Sequence, residues 1–215
     1  MNEGVGVRLG RVNDAAGHEA WPIGSEEELR HRLSLVTPGD TTRGLFLNGV
    51  LQAVRQLGGE AAVQHCLAES GEKRFLDLFN YPVDTMLRMS YAGARRLSDE
   101  TRTFDEVMRQ MGYVSARSFA TSTMGAIMLR LVISDSRRLL DAMPSAHRMN
   151  TSAGGCKVHW TGFHSAVLRI TRDYLPHSYT EGALQGAFEA ARVRGLTVRC
   201  RPTPSLDNDY ELSWD

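Results

Sequence analysis

The sequence predicts an α+β fold, with an N-terminal helical bundle followed by an antiparallel sheet with one packed helix. Three observations predict it. Between Ser25 and Arg148 the apolar residues recur three and four apart, in segments separated by caps and breakers. After Cys156 the period changes to two in the runs Phe163 to Thr171, Leu196 to Arg201 and Asp209 to Asp215, as half-buried antiparallel strands require. Between the first two of those runs, Thr180 to Arg194 is helical again, with Leu184, Ala187, Phe188 and Ala191 on an apolar face. The expected organisation is an N-terminal segment, 1–24, and one α+β domain, 25–215. Its helical part spans 25–148 and its sheet-and-helix cap 155–215.

Each element has a local reason. Val5 to Val12 reads as a short strand or a frayed tail. Ser25 ahead of Glu26, Glu27 and Glu28 fits a capping box; the helix it opens runs to about Leu35 and stops at Pro38-Gly39. Asp40-Thr41-Thr42 is expected to open a second helix that ends at Gly58-Gly59, with another from Glu60 to Ala68. Phe75 to Phe79 is a short apolar turn. Pro82 suits a helix start, and that helix reaches Leu97. Thr103 with Glu106 is a second capping box, for a helix expected to end at Gly112. Phe119 to Val132 is the most apolar helix and is expected at the centre of the bundle. Asp135 opens the next helix, expected to close before Pro144. In the cap, His164, Ala166, Leu168 and Ile170 are expected to face one way and Ser165, Arg169 and Thr171 the other, with Val167 an apolar exception. Val198 and Cys200 oppose Arg199 and Arg201, and Tyr210, Leu212 and Trp214 oppose Asp209 and Glu211. Gly182, Gly186 and Ala190 recur every four residues. Interior glycine costs a helix about 1 kcal/mol, so this stripe implies close backbone packing.

Composition excludes several classes. The chain has 215 residues, enough for a sizeable core, and 25 cationic against 25 acidic side chains, so no bulk charge recruits nucleic acid or an anionic surface. Three separated cysteines argue against a disulfide framework and for a reducing compartment. With no apolar leader and no run of membrane-spanning length, the expected location is cytoplasmic.

Several short motifs carry a resemblance. Arg43-Gly44-Leu45-Phe46, Phe79-Asn80-Tyr81-Pro82, Met111-Gly112-Tyr113, Pro176, Glu181 to Gly186, Arg194 to Val198 and Trp214 resemble a paralogous family of uncharacterised myxobacterial proteins of about 200 residues. More remotely, the layout is similar to the superfamily of haem nitric-oxide/oxygen-binding domains, 4-vinyl-reductase domains and Golgi tethering-complex subunits. The haem branch implies a histidine on the helix before the sheet and a Tyr-x-Ser-x-Arg motif entering the sheet. Tyr113-Val114-Ser115-Ala116-Arg117 has that spacing but precedes the most apolar helix. Lys157 to Gly162, the expected place, lacks it, and His147 reads as a loop residue beyond Pro144. Haem is not expected.

No nucleophile elbow, phosphate loop or dinucleotide fingerprint is present, so the reading leans away from an enzyme. Cys156, His159, His164 and Cys200 lack paired zinc spacing, and alternation sends Cys156 and His159 to opposite faces; no metal is assigned. Arg192, Arg194, Arg199 and Arg201 are expected to be neutralised by Asp207, Asp209, Glu211 and Asp215. Two readings of function follow, neither with a cofactor. The first is a non-catalytic binding module in signalling or assembly, acting through a protein partner or as a homodimer. The alternative is a sensor for a small apolar ligand, in a pocket between bundle and sheet lined by Met86, Met89, Met124, Met128, Trp160 and Phe188.

Overall fold

The computed structural model describes residues 12–13, 19–202 and 206–215. The strand expected from Val5 lies outside the described residues except for Val12, which pairs with Ala20 in a ribbon of β1 (Val12–Asn13) and β2 (Glu19–Ala20). Helix α1 (Glu26–Ser34) starts where expected. The Ser25 hydroxyl accepts from the Glu28 amide, while the Glu28 carboxylate reaches back to the Gly24 amide.

Thr41 to Arg43 is extended, contrary to the helix start expected there. It forms β3 (Thr41–Arg43) and pairs with β4 (Asn80–Pro82), which satisfies its backbone across the bundle. Helix α2 (Gly44–Ser70) breaks where expected, at Gly59 (φ 74°, ψ −173°), where glycine's freedom lets one residue leave the helix and its two halves meet at a kink. Helix α3 (Val83–Leu97) follows Pro82 as expected.

The next three helices differ more. Helix α4 (Phe104–Thr121) has the expected capping box but continues past Gly112. Ser122 breaks the apolar run by capping α5 (Thr123–Val132), its hydroxyl accepting from the Gly125 amide. Helix α6 (Ser136–Asn150) runs through Pro144, forgoing one backbone hydrogen bond, and so carries His147.

The cap matches its period-two pattern. Strands β5 (Gly155–Gly162), β6 (Ser165–Thr171), β7 (Thr197–Pro202) and β8 (Asn208–Ser213) form an antiparallel sheet in the order β5-β6-β8-β7, and α7 (His177–Ala190) lies between β6 and β7 in sequence. Leu168 is flanked by Val158 and Tyr210 in register, and Tyr210 by Cys200, giving one apolar face. Opposite it, Arg169 makes a two-pronged pair with Asp209, and Arg201 pairs with Glu211. The neutralisation of the arginine cluster is therefore partly as expected, with Arg169 as an added partner.

There are two apolar clusters. One holds α2, α3 and α4 together through Leu47, Val54, Leu87, Tyr91 and Met111. The other holds the sheet, with Leu168, Tyr210, Leu212 and Trp214 packed under Leu184 and Phe188 of α7. Helix α7 belongs to both, because Tyr179 at its start lies in the first cluster.

What joins the clusters is the crossing of α4 and α7. A Cβ on Gly182 would strike the Arg109 carbonyl, one on Gly112 would strike the Tyr179 carbonyl, and one on Gly186 would crowd the Tyr113 carbonyl and Ala116. The helices therefore touch backbone to backbone. Ion pairs flank the crossing, Arg109 with Glu181 and Arg117 with Glu189. Gly182→Ala is expected to lower the unfolding free energy by about 1–3 kcal/mol through overpacking. Gly39→Ala, whose added carbon would meet nothing within 4 Å, should leave the urea midpoint unchanged. Equal midpoints for the two variants would refute the close crossing.

Candidate functional site

The connector between β6 and α7 ties the sheet to the bundle through three consecutive side chains. Arg172 has a left-handed backbone (φ 54°), an uncommon conformation for a side chain that long. Arg172 and Tyr174 face the bundle. Arg172 donates to Oδ2 of Asp40 at 2.6 Å and to the Leu35 carbonyl at 3.1 Å, and the single Tyr174 hydroxyl proton is shared between the same two acceptors, each 3.0 Å away. The same Asp40 oxygen also accepts from the amide and hydroxyl of Thr37. Burial pushes the Asp40 carboxyl up, but the bonds from Thr37 and Tyr174 and the Arg172 charge outweigh it and hold it below the usual range. Beside this network Arg32 pairs with Glu28 at 2.7 Å and donates to the Tyr174 carbonyl.

Asp173 turns the other way, toward the sheet. Its carboxylate accepts from Tyr210 at 2.5 Å, from Asn208 at 3.1 Å and from Thr180 at 3.3 Å. Burial pushes its carboxyl upward against those bonds and against the charges of Arg32 and His147. Close by, burial raises the Cys156 thiol to about 11 and the Cys200 thiol to about 12, so neither is poised as a nucleophile. Glu181 fastens α4 and β7 to α7, pairing with Arg109 and accepting from the Cys200 amide. These groups are satisfied by one another and hold the two halves together.

The six residues expected to line a pocket lie in three places. Met86 and Met89 are buried in the bundle cluster. Phe188 is buried in the sheet cluster, with Trp160 packed against it and both rings near Trp214. Met124 and Met128 sit on α5, Met124 exposed and Met128 half-buried. The two hollows that stand out among the described residues are open and lie outside the seam. One, of about 310 Å³, lies on the outer sheet face at His159, Val167, Arg169 and Asp209. The other, of about 250 Å³, lies between α1, α2 and α3 at Glu26, Leu29, His65, Arg88 and Arg95.

Helix α5 is a surface element, not the central one expected. Gly125 is buried, and Leu129 and Val132 pack on the sheet cluster. Met124, Ile127 and Leu131, at helical spacing, are 46%, 61% and 67% exposed. An all-round apolar helix reads as buried; the one sequence sign against this was Ser122, a cap that detaches α5 from α4. The Asp40, Arg172, Asp173 and Tyr174 network was not anticipated either, because its members are far apart in sequence.

The family described as protein of unknown function (DUF2378) matches residues 35–215. Among curated proteins, none matches the chain. Solved structures with a similar fold include an oxygen-binding H-NOX domain related to soluble guanylate cyclases (TM-score 0.61, 13% identity, covering 80% of this chain and 95% of that one). Another is an Fe(II) H-NOX protein variant from S. oneidensis (TM-score 0.63, 12% identity, covering 80% and 96%). A third is an unliganded Fe(II) H-NOX variant from K. algicida (TM-score 0.58, 11% identity, covering 80% and 96%). At these identities the likeness shows the fold.

That fold raises the question of haem, and the residues present do not fit it. His147 does stand on the helix before the sheet, its Nε2 3.2 Å from the Ala153 carbonyl, but the groups expected to hold the propionates are engaged elsewhere. Tyr113 donates to Glu189 and Arg117 pairs with the same carboxylate, while Ser115 donates to the Gly49 carbonyl. The Tyr-x-Ser-x-Arg groups are thus spent on helix packing, and the α4–α7 crossing occupies the seam.

Two outcomes follow. Hemin added to the purified protein is expected to give no histidine-ligated Soret band; a band abolished by His147→Ala would overturn the misfit. Because the Asp40 carboxyl is held low in the folded state, its contribution is present above the ordinary carboxylate range and lost as pH falls through its native value. Asp40→Asn should therefore cost about 1.5–3 kcal/mol at neutral pH, and in urea titrations its gap to wild type should narrow as pH drops toward about 3.

Proposed function

The chain belongs to the DUF2378 family of proteins of unknown function, and on that premise we propose that it is a non-catalytic interaction module that assembles with a second copy through α5. The observation carrying this reading is the stripe of Met124, Ile127 and Leu131, half to two-thirds exposed on a rigidly capped helix. Contiguous apolar surface of this kind marks interaction sites. The stripe is nearly symmetric about Ile127, so two copies of α5 running antiparallel would set Met124 against Leu131 at both ends, as a self-complementary two-fold interface requires. Arg130 is the only charged residue on the helix, so such pairing buries no opposed like-charge rows. Ile133, also exposed, extends the patch beyond the helix.

The H-NOX-like fold supports a second reading, a ligand-sensing module. In that case Met86, Met89, Met124, Met128, Trp160 and Phe188 would line a pocket that forms only when the α4–α7 crossing opens. Co-purification of an apolar molecule, identified by native mass spectrometry, would favour this reading.

The interaction reading predicts a dimer in sedimentation velocity at micromolar concentration. Ile127→Glu with Leu131→Glu should convert it to a folded monomer, with unchanged circular dichroism because both side chains face solvent. A wild-type chain that stays monomeric throughout would sink the proposal.

A further inference from the structure

We propose that the loop joining α2 to β4 is a docking tip for an anionic bilayer surface, independent of α5. The loop projects Leu78 and Phe79, which are 74% and 61% exposed, with Leu76 beside them at 41%. Protruding apolar side chains on loose loops are common, but this loop is not loose. Phe75 behind the tip is buried and packs edge-on against Tyr81. The Phe79 carbonyl accepts from the Gly44 amide at 2.8 Å and the Asp77 carbonyl from the Leu45 amide at 3.0 Å. These two amides open α2, whose first turn has no side-chain cap. The Leu78 carbonyl accepts from the Arg43 guanidinium at 3.0 Å. The Phe79 amide donates to the Leu76 carbonyl, and the Leu76 amide to the Tyr81 hydroxyl at 2.9 Å.

This pattern argues for lipid over a protein groove. The carbonyls of Asp77, Leu78 and Phe79 and the amides of Leu76 and Phe79 are already paired, which lowers the cost of bringing this segment to an apolar medium. A protein partner would need a preformed pocket shaped to a convex tip, whereas acyl chains accept any protruding side chain. The charge around the tip also fits. Arg43, Lys73 and Arg74 are exposed on the segments flanking the tip, and Lys73 and Arg74 have no ion-pair partner among the described residues. The acidic Asp77 is turned back onto the Asn48 amide at 2.7 Å. Lys73 is one of two lysines in the chain. No helix of the described residues is long and apolar enough to cross a membrane, so the contact would be peripheral, with insertion limited to the tip.

The test is co-sedimentation of the full chain with extruded vesicles, either pure phosphatidylcholine or containing roughly one-third phosphatidylserine. Wild type should pellet with the anionic vesicles and much less with the neutral ones. Leu78→Ser with Phe79→Ser should weaken partitioning about tenfold or more, while circular dichroism stays unchanged because both side chains face solvent. Lys73→Gln with Arg74→Gln should weaken it about fivefold per cation, and added salt should reduce wild-type binding in the same way. Wild type left in the supernatant with anionic vesicles would overturn the proposal. Equal binding by the Leu78/Phe79 variant would do the same by placing the contact elsewhere. A vesicle-free self-association abolished by that variant would assign the tip to a second copy and reject the lipid.

Discussion

The architecture depends on the backbone contact between α4 and α7. Two helices normally stand 8–10 Å apart, held off by their side chains. Here Gly112, Gly182 and Gly186 remove those side chains where the helices meet, so the Arg109, Tyr113 and Tyr179 carbonyls lie against the opposing backbone. Helix α7 is shared between the two apolar clusters, so drawing it onto α4 draws the sheet onto the bundle. The helix-propensity cost of two glycines in α7, about 1 kcal/mol each, is offset by the contact area gained and by the Arg109–Glu181 and Arg117–Glu189 pairs.

The connector network completes what the crossing begins. Alternation along Arg172, Asp173 and Tyr174 sends the first and third side chains to Asp40 and the second to Tyr210 and Asn208. A single three-residue connector, turned at the left-handed Arg172, thereby grips both halves of the molecule. The two carboxylates titrate in opposite senses. Asp40 is held low by its donors, whereas Asp173 is raised by burial. For Asp173 the folded state binds the proton more tightly than the unfolded chain does, so its contribution falls as pH rises through the window above the ordinary carboxylate range.

How much of this was legible in the sequence varied with the range of the interaction responsible. Period-two runs gave the sheet faces correctly, because one buried face dictates every second residue from Ala166 to Ile170 and from Tyr210 to Trp214. The capping box at Thr103 was legible for the same local reason. Gly112 was misread as a helix end because glycine stops helices and also permits close approach, and only the partner decides between them. Thr41 to Arg43 became a strand because its pairing partner, Asn80 to Pro82, is nearly forty residues away. The stripe of Gly182 and Gly186 was correctly taken to mean close packing, yet sequence could not say against what. Helix α5 failed in the opposite direction. Its composition is that of a core helix, and nothing within the segment says that the sheet has room for only one of its faces.

Those exposed faces matter because of how the seam is filled. In a fold that joins helices to a sheet, the junction is the natural place for a ligand. Here that volume is taken by main chain meeting main chain and by carboxylates whose donors are all supplied internally. On the interaction reading proposed above, recognition would use the outer surface, where apolar groups stay in water at a cost of about 25 cal/mol per Å². Ile127 and Leu131 on α5 and Leu78 and Phe79 on the α2–β4 loop bear that cost most conspicuously. Both features sit on fixed supports, one a helix capped by Ser122 and the other a turn bonded to the start of α2, so little ordering entropy remains to be lost on contact. A partner covering either surface would recover the hydrophobic free energy that folding leaves unused, without reopening the crossing that holds the molecule together.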